Sequence, residues 1–191
     1  MSTVERKTGE TEITLSVTAG SGVSNVDTTD PFLDHMLVVL ARYGGLDLTV
    51  KARGDLRHHL VEDVAITLGA ALQAEVPDQA VRYGSALVPM DDALVQAAVD
   101  LGGRPFYEGP IPSSLYDHFL QSLAFNLKAT VHVHVVRGTD RHHVVEAAIK
   151  AVGFCLRQGM AQGDAVFSTK GAVRLQQLDQ AGALDEAEEL G

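Results

Sequence analysis

A pattern that occurs twice restricts the fold of this 191-residue chain more than any other feature. Asp34-His35-Met36-Leu37 is echoed by Asp117-His118-Phe119-Leu120, and each opens a stretch with apolar residues at helical spacing. A strand-like run follows in both copies, Leu46 to Val50 before Arg53-Gly54-Asp55 and Thr130 to Val136 before Arg137-Gly138-Thr139-Asp140. Each copy then reaches a double histidine that starts a second helical pattern. His58-His59-Leu60-Val61-Glu62 runs on to about Leu72, and His142-His143-Val144-Val145-Glu146 to about Leu156. The first histidine precedes the pair by 23 residues in one copy and 24 in the other. So many matches, in one order and at one spacing, indicate duplication and hence a pseudo-two-fold fold.

Alternating runs upstream, Glu12 to Val17 and the more apolar Ala93 to Leu101, complete each half as strands, helix, strand, helix. The expected class is α+β: a tandem duplication of a β-α unit, with two sheets each covered by helices. The expected organisation is a flexible segment over 1–11, a first half over 12–81, a second half over 82–175 and an acidic flexible tail over 176–191. The joint is placed in Val76 to Pro89, which holds Pro77, Gly84 and Pro89. One small sheet with two helices buries too little alone, so the halves should pack closely.

On a helix, residues three and four apart share a face. Glu62 therefore stands beside His58 and His59, and Glu146 beside His142 and His143. Adjacent histidines diverge by about 100° around the helix, so one pair serves two sites more easily than one. Imidazole with carboxylate and no thiolate suits Mn, Fe, Ni or Zn, and argues against an all-oxygen calcium site. His35 and His118 add one imidazole per half. The preceding Asp34 and Asp117 are either helix caps or partners that orient those rings. Six of the eight histidines fall in the repeated pattern. His132 and His134 alternate along a strand without a carboxylate partner and read as structural.

The spacing is neither the His-Glu-x-x-His of a zinc protease nor the Glu-x-x-His of a di-iron bundle. Arg82, Arg104, Lys150 and Lys170 are candidate anion binders, with Ser168-Thr169-Lys170-Gly171 as a short phosphate cradle. Lys150 lies one turn beyond Glu146, on the ligand-bearing face. A formal net charge of −10 and a pI near 5.1 disfavour nucleic acid as a partner. Cys155 lies in an apolar run and reads as a buried, inert thiol. No apolar stretch approaches the roughly 20 residues of a membrane span and no signal segment is evident, so a cytoplasmic location is expected.

Together, Phe32 to Leu37, His58 to Asp63, Pro89-Met90-Asp91, Gly103-Arg104-Pro105, His142 to Lys150 and Ser168 to Gly171 resemble imidazoleglycerol-phosphate dehydratase of histidine biosynthesis, over nearly the whole chain. The resemblance implies a fold like the second domain of ribosomal protein S5, and a hydro-lyase that converts imidazoleglycerol phosphate to imidazole-acetol phosphate. It also implies two manganese ions per active site and a homo-oligomer of 24 copies with sites at subunit boundaries. By the same similarity His35, His58, His59, Glu62, His118, His142, His143 and Glu146 are metal ligands. Arg82, Arg104, Ser168 and Lys170 hold the phosphate, Lys150 lines the pocket, and Glu10 is the acid/base glutamate. Three positions depart from the family pattern: Tyr43 stands where a substrate-contacting histidine is common, the loop Gly54 to His58 is short, and Arg57 replaces an acidic neighbour of His58. Two other readings compete: a dinuclear hydrolase of a phosphorylated substrate, and a non-catalytic shell in which metal only joins subunits.

Overall fold

The computed structural model describes residues 1–165. Strands β1 (Ser2–Lys7), β2 (Thr11–Ala19) and β3 (Ser24–Asp27) lead into helix α1 (Pro31–Gly44), strand β4 (Leu46–Gly54) and helix α2 (Arg57–Glu75). The order then repeats as β5 (Tyr83–Met90), β6 (Ala93–Asp100), β7 (Phe106–Glu108), α3 (Ser114–Leu127), β8 (Thr130–Arg137) and α4 (Arg141–Gly159). The two four-stranded sheets share one topology, β1-β2-β4-β3 and β5-β6-β8-β7, with only the last strand parallel to its neighbour. Ile13, Leu15 and Val17 face Ala52, Val50 and Leu48 across the first sheet, and Val95, Ala97 and Val99 face Val135, Val133 and Val131 across the second. The duplication read from the sequence is therefore a duplication of strand order and register.

Helices α1 and α2 cover the first sheet, α3 and α4 the second, and the halves meet through α1 against α4 and α2 against α3. This stacks sheet, two helices, two helices, sheet. A helix in such an inner layer needs apolar residues on more than one face. On α2, Leu60, Val61, Val64, Ala65, Leu68, Ala71 and Leu72 are buried, and on α4 burial runs from Val144 through Leu156 on nearly every turn.

Residues 1–11, expected to be a flexible segment, instead carry strand β1, paired along its length with β2. Its apolar signal is only Val4, which packs on the core, so alternation alone could not reveal it. Its Arg6 also reaches inward to Asp63 at 2.9 Å. The joint is likewise shorter than Val76 to Pro89, because β5 begins at Tyr83 and Pro89 lies within that edge strand. Residues 166–175, the acidic tail over 176–191, and with them Ser168 and Lys170, lie outside the described residues.

The helix starts also differ from one reading of Asp34 and Asp117. Asp30 caps α1, accepting from the N–H groups of Phe32 and Leu33 at 3.0 and 3.1 Å, with Pro31 at the first helical position. Asp34 sits inside the first turn, where it accepts from Thr28 N and Oγ1 at 2.8 and 2.6 Å. Asp117 does the same in the other half, accepting from Ile111 N and the Tyr107 hydroxyl at 3.1 and 2.7 Å. Both pin the incoming loop to the turn that carries the next histidine.

Candidate metal centre

The close packing of α1 on α4 and of α2 on α3 brings their N-terminal ends together in pairs. His35 of α1 meets the double histidine of α4, with His35 Nε2 3.3 Å and His142 Nε2 3.0 Å from the same Glu146 oxygen. His118 of α3 meets the double histidine of α2, with His58 Nε2 3.4 Å from Glu62 Oε2 and His118 Nε2 3.2 Å from Glu62 Oε1. Each triad thus takes one histidine of a pair and its glutamate from one half and the lone histidine from the other. Ligands about 2.0 to 2.2 Å from one ion and near right angles to each other lie about 3 Å apart. In both triads each imidazole nitrogen lies within 3.4 Å of the glutamate carboxylate, and among the described residues the first triad alone has all three ligand atoms, of His35, His142 and Glu146, within 4.8 Å of one another. Two imidazoles and a carboxylate, with no thiolate, fit a divalent transition metal.

His59 and His143 do not join the triad on their own helix. Each ring lies 6.0 Å, centroid to centroid, from its neighbour in the pair. His59 Nδ1 instead lies 2.9 Å from Asp55 and 3.6 Å from Glu10, and His143 Nδ1 lies 2.8 Å from Asp92. The hydrogen bond to Asp55 raises the pKa of His59, and that to Asp92 raises the pKa of His143. Six of the eight expected ligands therefore converge in two triads and two face away from them. Sequence reasoning missed Asp55 and Asp92. Asp55 was readable four residues ahead of His59, whereas Asp92 arrives from the distant β5–β6 turn.

Glu146 is largely buried. Burial alone would raise its pKa, but hydrogen bonds from Lys150, His142 and His35 outweigh this and hold it below the ordinary value. Lys150 Nζ lies 3.0 Å from Glu146 Oε1 and 5.4 Å above the ring of Tyr43, which packs edge-on against Phe154. Tyr43 thus lies beside the first triad through Lys150. Arg57 turns back to the capping carboxylate of Asp30. A cavity of about 660 Å³ opens beside His142, lined by Phe32, Arg57, Tyr116, Asp140 and Arg141. Glu10 occupies the β1–β2 turn with its carboxylate exposed.

The arginines lie elsewhere. Arg82 donates twice to Asp100, at 2.5 and 2.9 Å, and Arg104 approaches the same carboxylate at 3.6 Å. The Arg82 backbone N–H donates to Gly159 at the far end of α4. Glu146 stands thirteen residues earlier on that helix, about 20 Å away. His132 and His134 occupy exposed positions on β8, apart from both triads. Cys155 is buried and donates to the carbonyl of Ala97, and burial pushes its thiol up to about 12.

A family model described as imidazoleglycerol-phosphate dehydratase matches residues 28–156, from the strand–helix junction before His35 to the last turn of the helix bearing Glu146. The chain belongs to the imidazoleglycerol-phosphate dehydratase family. The dehydratase of Pyrobaculum arsenaticum is 47% identical over 185 residues, covering 88% of this chain and 98% of that protein. That of Acetivibrio thermocellus is 44% identical over 187 residues, covering 88% and 96%. The crystal structure of the Pyrococcus furiosus enzyme in complex with (S)-C348 superposes with a TM-score of 0.81 at 40% identity, covering 89% of this chain and all of that one. The Staphylococcus aureus enzyme superposes with a TM-score of 0.77 at 29% identity, covering 85% and 99%. As an imidazoleglycerol-phosphate dehydratase, the chain is a hydro-lyase of histidine biosynthesis that acts on a phosphorylated imidazole. Among its described residues no helix is long and apolar enough to cross a membrane.

Proposed function

We propose that the two triads, His35/His142/Glu146 and His58/His118/Glu62, would each hold a manganese ion, and that the dehydration takes place at the site they build. The observation carrying this reading is the duplicated triad itself, two imidazoles around one carboxylate, built twice from opposite halves and drawn to ligand spacing in the first. Bound there, manganese supplies Lewis-acid polarisation of the substrate ring. The chain's own residues do the rest. Glu10, an exposed carboxylate on a turn beside His59, moves the proton between the substrate carbon and solvent. Lys150, held by Glu146 and the Tyr43 ring, adds positive charge to the pocket wall.

Arg82 and Arg104, with Ser168 and Lys170, bind the phosphate. The roughly 20 Å of α4 between Arg82 and Glu146 is more than a three-carbon phosphorylated imidazole can span, which supports a site completed between copies. His59 and His143, facing away from their own triads, complete the coordination of ions held by neighbouring copies. The assembly is a homo-oligomer of 24 chains, and the compartment is the cytoplasm. Imidazoleglycerol phosphate is supplied to chelator-treated protein with and without manganese, and the ketone product is followed. Turnover restored by manganese supports the reading; equal turnover without metal overturns it. Release of inorganic phosphate instead of ketone would favour the hydrolase alternative. Assembly with manganese but no turnover would favour the shell.

A further inference from the structure

We infer that Asp55 and Asp92 are positioning residues for His59 and His143, each fixing its imidazole so that Nε2 is the nitrogen offered to a metal. The inference rests on the proposal that these histidines ligate an ion. The two halves make the same contact to the same ring atom, Asp55 Oδ1 to His59 Nδ1 at 2.9 Å and Asp92 Oδ1 to His143 Nδ1 at 2.8 Å. A neutral imidazole carries one N–H. A carboxylate at Nδ1 accepts that proton's hydrogen bond, so the lone pair is left at Nε2.

The two carboxylates come from unrelated places. Asp55 lies in the β4–α2 loop, four residues before its histidine, while Asp92 lies in the β5–β6 turn, 51 residues before its own. Aligning the histidine pairs puts Thr139 opposite Asp55, and Thr139 can offer no charge. Its Oγ1 and N–H instead donate to Asp92 at 2.8 and 2.6 Å. The turn opposite Asp92 is the β1–β2 turn, where Glu10 stays 3.6 Å from His59 Nδ1, beyond hydrogen-bond reach. Common ancestry therefore does not account for the repeated contact. Nor does core packing, since both carboxylates remain well exposed.

Loop anchoring is separable in the second half, because Asp92 anchors Thr139 and Asp140 through Oδ2 and holds His143 through Oδ1. In the first half Asp55 Oδ1 also accepts from the Leu56 N–H. Two consequences follow. The short loop before His58 brings Asp55 into place, supplying the acidic partner that Arg57 cannot. Glu10 is thereby relieved of holding His59 and stays free for proton transfer. Asp91, 3.4 Å from His143 Nε2, must release that nitrogen when a metal takes it.

The test is manganese(II) titration of the metal-free full-length chain by calorimetry, with thermal unfolding in chelator run alongside. Asp55→Ala should weaken manganese binding about 10- to 100-fold while leaving the chelated unfolding midpoint near wild type. Asp55→Asn, which keeps an acceptor oxygen, should recover part of the loss. Asp92→Ala tests the second half, with Thr139→Val as the control that removes a loop contact and spares His143. Wild-type affinity in Asp55→Ala, or an equal loss in Thr139→Val and Asp92→Ala, overturns the inference. Wild-type protein that binds no manganese overturns the metal proposal itself, a distinct result that needs no variant.

Discussion

At the scale of single residues, Glu10 and Tyr116 make opposite demands on their surroundings. Glu10 is exposed on a turn and touches no triad residue of its own chain. Glu10→Gln should lower turnover by about 10²- to 10⁴-fold while leaving manganese affinity and the unfolding midpoint unchanged; steady-state kinetics beside a metal titration reads both. A parallel loss of metal binding would instead make Glu10 a ligand. Tyr116 is fully buried, and its hydroxyl lies against the Arg57 guanidinium, with burial pushing the phenol pKa well above its ordinary value. Its ring packs edge-on against Phe32 at 5.1 Å. Tyr116→Phe keeps the ring and drops the hydroxyl's interaction with Arg57, so stability should fall by about 1 kcal/mol in urea unfolding, and no change would mean that interaction contributes nothing. The residues of the triads were legible in the sequence as candidates because residue type and local spacing mark them: Glu62 and Glu146 sit one turn from their histidines. The pairing of His35 with Glu146 was not, since those residues are 111 apart and only tertiary packing joins them.

Among the elements, close approach and one ion pair decide what can change. Strand β5 lies directly on α4: a Cβ on Gly84 would sit 2.1 Å from the backbone oxygen of Cys155. Gly84→Ala must push strand from helix and should cost about 1 to 3 kcal/mol, seen as a lower urea midpoint. Asp100, at the end of β6, is held below its ordinary pKa chiefly by hydrogen bonds from Arg82. A depressed carboxylate stabilises the fold above the unfolded value near 4, and loses that contribution as pH falls through its folded pKa. Asp100→Asn should therefore cost about 1 to 3 kcal/mol at pH 7, and the gap from wild type should close as the pH falls to 3 and below. A gap that stays constant with pH would remove the carboxylate charge from the explanation. The helices and inner strands were legible from periodicity, with ends extended by a few residues: α2 runs to Glu75 and α4 to Gly159. Strand β1 was not, because pairing along the edge of β2 holds it rather than an apolar face of its own.

For the whole molecule, duplication explains why neither half is sufficient. Each triad draws on both halves, so one half alone would carry no complete triad. The separation of the arginines from the triads along α4 extends the same logic to copies of the chain. Co-assembling an inactive Arg104→Ala chain with an inactive Glu146→Gln chain should restore activity, because some sites then receive an intact triad from one chain and an intact arginine from another. Hybrids as inactive as their parents would place all of these groups of one site in a single chain. The measurement that bears most directly on the shared triads is the number of manganese ions bound per chain at equilibrium dialysis, in wild-type protein and in His118→Ala. Two ions in the wild type and one in the variant are expected, since His118 crosses from its own half to serve Glu62 and His58. Two ions retained by the variant, or none bound by the wild type, would contradict the account.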